Sequence, residues 1–296
     1  MTAQRQDIRD RFARLLPSEQ STVGYLFWLS RPRFWLYLAG PVIVGVTYAA
    51  DSVAELFSPV AVGLFLYFLV PGNLFLYGIN DAFDADIDEE NPKKDDKEVR
   101  YRDSAVVWLV VALSGGLGGL LIFAIPPLAT QALAAYFFLA VEYSAPPLRF
   151  KTTPFLDSAS NGLYVLPGGV AFTAVEGSFP PGLAIVGAWL WTMGMHTFSA
   201  IPDIEPDREA GIRTTATVLG ERRTYAYCGA CWLLAAVAFG GVHPFFGVVL
   251  GLYPLLVFAI ARSSVDVDDA YWWYPAVNTL VGMLLTMAGL WVLLYG

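Results

Sequence analysis

Two short aspartate-rich stretches stand against the ends of long apolar runs, where carboxylates are costly. The first reads Asn80-Asp81-Ala82-Phe83-Asp84-Ala85-Asp86-Ile87-Asp88. At about 100° per residue on a helix, Asp81, Asp84 and Asp88 fall within about 60° of one another, and Asp86 points elsewhere. Three like charges on one ridge repel, and each would cost roughly 2.5 to 3.5 kcal/mol at bilayer depth, so the ridge requires a cation or a water-filled cavity. Magnesium suits such hard oxygen ligands, because it takes one or two carboxylates and completes its octahedron with water and substrate phosphate.

The second stretch is Asp203-Ile204-Glu205-Pro206-Asp207, followed by Gly211. Asp203 and Asp207 stand side by side if the segment is helical, but Pro202 and Pro206 leave a distorted turn equally open. Two opposed sets of this kind can hold two magnesium ions against one diphosphate. The plainer reading, solvated loop acids, suits Asp95, Asp96, Glu98 and Asp103, which alternate with Lys and Arg, and also Asp86, Glu89 and Glu90. It fits Asp81, Asp84, Asp88, Asp203 and Asp207 poorly, since both sets abut apolar spans at helical spacing.

Between the two lies Glu142-Tyr143-Ser144-Ala145-Pro146-Pro147-Leu148-Arg149-Phe150-Lys151. The double proline ends a helix and predicts an extended stretch carrying Arg149 and Lys151. Cations there can bind non-bridging oxygens of a diphosphate and stabilise it as it leaves; the simpler alternative is charge retained on the cytoplasmic side. His196 sits seven residues before Asp203. A single histidine at a span end is more often a packing residue than a base, and the catalytic alternative stays open. Cys228 and Cys231 cannot complete a zinc site alone and read as thiols packed in a helix. Gly115-Gly116-Leu117-Gly118-Gly119 reads as a close helix-packing surface.

The elements that must position these residues are membrane helices. Of 296 residues, 56% are hydrophobic and 15% charged, with a mean hydropathy of +0.53, which places most of the chain in lipid and leaves no room for a separate soluble domain. Nine spans are expected: Phe34–Ala50, Phe57–Gly78, Ala105–Ile125, Leu128–Tyr143, Phe155–Val175, Pro181–Ala200, Tyr225–Gly241, Pro244–Ala261 and Tyr271–Gly296. The first is interrupted by Gly40-Pro41. All 18 Lys and Arg fall before the first span or in the loops after spans two, four, six and eight. That alternation predicts a cytoplasmic N-terminus, an outer C-terminus and both Asp motifs on the cytoplasmic side. An amphipathic N-terminal helix turning Ile8, Phe12, Leu15 and Leu16 to the membrane competes with disorder. Asp7, Asp10 and Glu19 argue against a cleavable signal. The net charge of -8 and pI near 4.7 argue against nucleic acid as a partner and suit a high-salt cytoplasm.

The NDxxDxxxD of Asn80 to Asp88, the YSxPPxRxK of Tyr143 to Lys151 and the DxxxDxxxG of Asp203 to Gly211 occur in one order along the chain. Together with Ser30-Arg31-Pro32, they resemble the UbiA-type intramembrane prenyltransferase family. The resemblance implies an all-α bundle of nine transmembrane helices around a central cavity, built as a single domain over 1-296. It implies magnesium on Asn80, Asp81, Asp84, Asp88, Asp203 and Asp207. Asp81, Asp84, Asp203, Asp207 and Lys151 are then expected to carry catalysis, and Asn80, Tyr143, Arg149, Lys151 and Arg213 to bind substrate.

The stretches Met195 to Asp203 and Ala210 to Thr217 are similar to the lycopene-elongase branch of that family. That similarity implies dimethylallyl diphosphate as donor and lycopene as acceptor. The allylic cation would be attacked by an end double bond, and the resulting tertiary cation captured by water, as in C50 carotenoid synthesis. Aromatic residues make up 15% of the chain, which fits a cavity that shelters cations against ring faces and equally fits ordinary interface chemistry. Geranylgeranyl transfer to a glycerol phosphate and prenylation of a quinone ring are alternatives within the family. A cation transporter is the alternative from another class, but it predicts acids near span centres, not clusters at one face beside a basic Pro-Pro loop.

Overall fold

The chain is all-helical in a computed structural model that describes residues 17–18, 21–88 and 105–296, without the side chains of 84–88. The expected amphipathic N-terminal helix and the charged loop after span two lie outside the described residues. Helix α1 (Thr22–Leu29) starts at Ser21, whose hydroxyl accepts from the Gly24 amide. Helix α2 (Trp35–Ala49) runs unbroken through Pro41, contrary to the interruption expected at Gly40-Pro41. Proline there removes one backbone bond, and close packing on a later helix, α8, holds the segment helical. Helices α3 (Pro59–Leu69) and α4 (Pro71–Asp88) follow, and α4 brings the first Asp motif to its C-terminal end. Then come α5 (Ala105–Leu120) and α6 (Pro127–Glu142).

The fifth expected span is not one helix. It divides into α7 (Leu156–Ala159), a 3-10 stretch over Ser160–Tyr164, and α8 (Leu166–Glu176). Ser160 donates its hydroxyl to the Leu156 carbonyl at 2.7 Å, and Asn161 its side-chain amide to the Asp157 carbonyl at 2.6 Å. Side chains bonded to nearby carbonyls offer the backbone an alternative to a regular helix, and Pro167 starts a new one.

Helix α9 (Gly182–Ser199) leads through α10 (Ile204–Glu209) and α11 (Thr215–Leu219) to α12 (Glu221–Val242). The eighth expected span is broken as well, into α13 (Pro244–Leu250) with α14 (Leu252–Ile260), whereas the ninth is the long α16 (Tyr274–Tyr295) preceded by the short α15 (Val267–Trp272). Val53–Phe83, Ala105–Phe123, Glu221–Val242 and Val267–Tyr295 are each long and apolar enough to cross a membrane. The protein is a multi-pass membrane protein.

Two hydrophobic cores hold the bundle. The first gathers Leu38, Val42, Leu64, Phe68, Leu133, Tyr136 and Val170 from α2, α3, α6 and α8, and the second gathers Phe198, Trp232, Tyr253 and Tyr274 from α9, α12, α14 and α16. Glycine permits the closest crossings. A Cβ on Gly45 of α2 would stand 2.3 Å from the Gly168 carbonyl oxygen of α8. In the glycine run of α5 the expected packing surface is half realised. Gly115 faces Phe75, and Gly118 faces Phe137 and Tyr67, whereas Gly116 and Gly119 meet nothing. Cys228 and Cys231 are free and buried, as a packed thiol pair should be.

Candidate functional site

A cavity of about 1740 Å³ opens between the two cores, larger than the roughly 300–1,000 Å³ of an ordinary small-molecule pocket. Its deeper walls are apolar, with Ile43 and Val44 from α2, Phe172 from α8, Ile185 from α9, Phe246 from α13 and Met287 from α16. Polar groups gather toward one end, where Arg31, Asn80, Asp81, Tyr143, His196 and Asp203 line it.

Asp81 is the anchor of this end. It lies 4% exposed on α4, and a carboxylate so buried must be compensated. An Arg31 Nη donates to its Oδ1 at 2.9 Å, and the same guanidinium stands over the Tyr77 ring, 4.4 Å from its centroid. Arg31 reaches this place from a left-handed backbone, φ 51°. Among the described residues the other non-glycine residues with positive φ are Arg149 and Phe155, each tied by a polar contact. Arg149 donates an Nη to the Phe83 carbonyl at 2.9 Å, and the Phe155 amide donates to the Thr215 hydroxyl at 2.7 Å. Such conformations cost of order 1–3 kcal/mol each and persist where the surroundings hold them.

The basic loop folds differently from the expected extended stretch. The Pro146–Pro147 bond is cis, the Arg149 amide returns to the Ala145 carbonyl at 3.1 Å, and the Lys151 amide to the Tyr143 carbonyl at 3.1 Å. A short 3-10 turn covers Phe150–Thr152. A loop packed against helices must satisfy its own backbone donors, and folding back does so. Arg149 thereby pins the loop to the end of α4 and does not line the cavity. Lys151 is largely buried within electrostatic reach of Asp81 and Arg31; burial pulls its ammonium down to about 7, against the raising influence of Asp81.

Asp203 begins α10 and lines the same cavity. The Asp207 amide donates to the Asp203 carbonyl at 2.8 Å, so the segment is helical despite its prolines and the two aspartates share a face. Asp207 is half-buried, and Arg213 is exposed and outside the cavity wall. Asn80 lines the wall and donates to the Ser144 hydroxyl at 2.8 Å, joining the first motif to the Tyr143 loop. The side chains of Asp84 and Asp88 lie outside the description, although both residues are on α4. Asp81 and Asp203 line the same cavity and are hard oxygen donors, a set that fits magnesium. Among the described residues no three His, Cys, Asp or Glu side chains converge on one point, and magnesium, which keeps several ligands from water and substrate, does not require that.

The sequence reading missed Arg31 as a site residue, and Asp157 altogether. Asp157 is fully buried at α7. Its carboxylate accepts from the Thr215 amide at 2.9 Å and from the Thr215 hydroxyl, and its Oδ2 lies 3.9 Å from Nε2 of His196. A lone aspartate inside an apolar run could have signalled it.

The UbiA prenyltransferase family matches residues 38–280. The lycopene elongase/hydratase of Haloarcula japonica is 64% identical over 288 residues, covering 97% of this chain and 98% of that protein. The lycopene elongase/hydratase of Haloferax volcanii is 67% identical over 272 residues, covering 92% and 90%. In fold the chain is similar to a UbiA homolog from Archaeoglobus fulgidus bound to DMAPP and Mg2+, with a TM-score of 0.68 at 19% identity, covering 92% of this chain and 99% of that one.

Proposed function

The chain belongs to the UbiA prenyltransferase family, and from that premise we propose that it transfers the dimethylallyl group of dimethylallyl diphosphate to an end double bond of lycopene and hydrates the product. The observation that carries the reading is the identity, sustained over almost the full chain, with haloarchaeal lycopene elongase/hydratases. We read residues 1–296 as one domain, with nine crossings, the N-terminus in the cytoplasm, the C-terminus outside and the site opening to the cytoplasm. The acidic composition fits a high-salt interior.

The geometry supports the chemistry from its donor groups upward. Asp81 and Asp203 would hold magnesium, with Asn80, Asp84, Asp88 and Asp207 of the same motifs completing the set. When bound, that metal supplies charge neutralisation for the leaving diphosphate. Arg31 and Lys151 add fixed positive charge at the same end, where the carbon–oxygen bond breaks and charge develops. Tyr143 borders the diphosphate pocket, and Arg149 keeps the loop that carries Lys151 against α4. The deep apolar wall fits a hydrocarbon acceptor. The rings of Tyr37, Tyr77, Tyr164 and Tyr271 line the cavity and offer π-faces to the allylic and tertiary cations.

The test is incubation of purified protein, in high salt and magnesium, with dimethylallyl diphosphate and lycopene. A C5-extended product bearing a tertiary hydroxyl is expected. Extension of a glycerol phosphate or quinone precursor instead, with lycopene untouched, would overturn the acceptor and leave the family.

A further inference from the structure

The polar end and the apolar depth of the cavity meet on one helix. Along α9 the residues Ile185, Trp189, Thr192, His196 and Ser199 line the wall in turn, and Asp203 follows beyond the helix end. At about 1.5 Å of rise per residue, His196 lies about one turn from Ser199, on the side of the apolar residues Trp189 and Ile185. The chain has two histidines. The other, His243, caps α13, where its Nδ1 accepts from the Phe245 amide.

His196 does more here than pack. Its side chain is 20% exposed, toward the cavity, and its ring stands edge-on to that of Tyr143, 6.0 Å between centroids. Behind it lies Asp157, whose side chain is 1% exposed. Among the described residues its carboxylate accepts hydrogen bonds from an amide and a hydroxyl, and a carboxylate buried among neutral donors calls for a balancing positive charge. Among the described residues His196 is the group placed to bring it a proton-borne positive charge. The 3.9 Å between Nε2 and Oδ2 exceeds a hydrogen bond, and catalytic contacts of this kind often tighten only with substrate bound. Thr215 holds both carboxylate oxygens, its amide on the Oδ2 that faces His196 and its hydroxyl on Oδ1, and Asn161 holds the Asp157 backbone, so the carboxylate is oriented before any substrate enters.

We propose that His196 is the catalytic base of the hydration step, with Asp157 as its positioning residue. This rests on the reading of the protein as a hydrating prenyltransferase. After the allyl carbon has bonded to the acceptor double bond, the positive charge resides on the tertiary end carbon. The oxygen of a water held by His196 bonds to that carbon, one of its protons passes to the imidazole, and the product carries a neutral tertiary hydroxyl. The imidazolium is balanced by Asp157 and later releases its proton to the departing diphosphate or to solvent. Without the base the same cation loses a proton from a neighbouring carbon to the released diphosphate and closes to an alkene, so His196 decides between water addition and elimination.

The experiment measures, for the full-length protein with magnesium, dimethylallyl diphosphate and lycopene, total C5 incorporation and the ratio of hydroxylated to unsaturated product. His196→Gln and His196→Ala should lower that ratio by at least about a hundredfold, the low side of what a positioned base contributes, while total incorporation stays within about threefold. Asp157→Asn should shift the ratio in the same direction by a smaller factor. A merely structural histidine would lower both products together, and that result, or an unchanged ratio in the His196 variants, overturns the proposal. Should the unmodified protein transfer nothing to lycopene, the parent reading fails as well; should it transfer normally while His196→Gln keeps the ratio, only the assignment of the base fails.

Discussion

Asp81 and Asp157 are both buried beside one cavity, 4% and 0% exposed, yet they are solvated by the protein in opposite ways. Asp81 faces the cavity with a guanidinium at 2.9 Å, and Lys151 is within electrostatic reach. Asp157 is absent from the cavity wall and is held by an amide and a hydroxyl, with an imidazole nitrogen 3.9 Å away. A carboxylate that faces a cavity beside fixed cations is placed to act on a bound metal and anion. A carboxylate locked by neutral donors can only orient what stands next to it. The mouth of the cavity is therefore where charge is exchanged with substrate, and the wall behind α9 is where geometry is fixed.

The contrast breaks first at Asp81. Asp81→Asn should reduce prenyl transfer by about 10³-fold, the scale on which loss of one preorganised electrostatic group acts, with the solubilised protein still folded by circular dichroism. Activity near the unmodified level would mean that the mouth does not carry the metal.

Lys151 gives the next largest effect. Its ammonium is pulled down to about 7 by burial, so it is charged below that pH and loses its charge as pH rises through it. If the charge binds diphosphate, kcat/KM should fall by about tenfold per pH unit above about 7 in the free enzyme. Lys151→Arg stays charged throughout and should remove that descending limb. Identical profiles for the two proteins would assign the charge to topology alone.

At the wall the expected loss is stability. Asp157→Ala leaves the buried Thr215 amide and hydroxyl without their acceptor, which should cost about 1–3 kcal/mol and lower the melting temperature in detergent more than Asp81→Asn does. The reverse order would erase the division between mouth and wall. The smallest effect belongs to Arg213, exposed and outside the cavity. Arg213→Ala should stay within about 0.5 kcal/mol in stability, as surface changes do, and near the unmodified rate in a transfer assay. A large rise in KM for the diphosphate would instead restore Arg213 to the substrate-binding set.

The sequence by itself determined the class of the molecule and much of one site. Apolar runs of spanning length require helices, because backbone groups in lipid can be satisfied only within the segment or a closed barrel. Carboxylates repeating at three and four residues beside those runs announced the Asp81 and Asp203 motifs, since that spacing is a property of a single helix. Arg31 and Asp157 escaped because the side-chain contacts that mark them reach to distant segments. Asp81 is 50 residues from Arg31, Thr215 is 58 from Asp157, and His196 reaches Asp157 from another helix. The break of the fifth span was equally hidden, because Ser160 and Asn161 turn inward to carbonyls only once the bundle closes around them. Only the tertiary structure decided which acids face the cavity and which stand behind it. Local spacing fixes the face of a helix, whereas the cost of burying a charge is met by whichever distant donor the packing brings within reach.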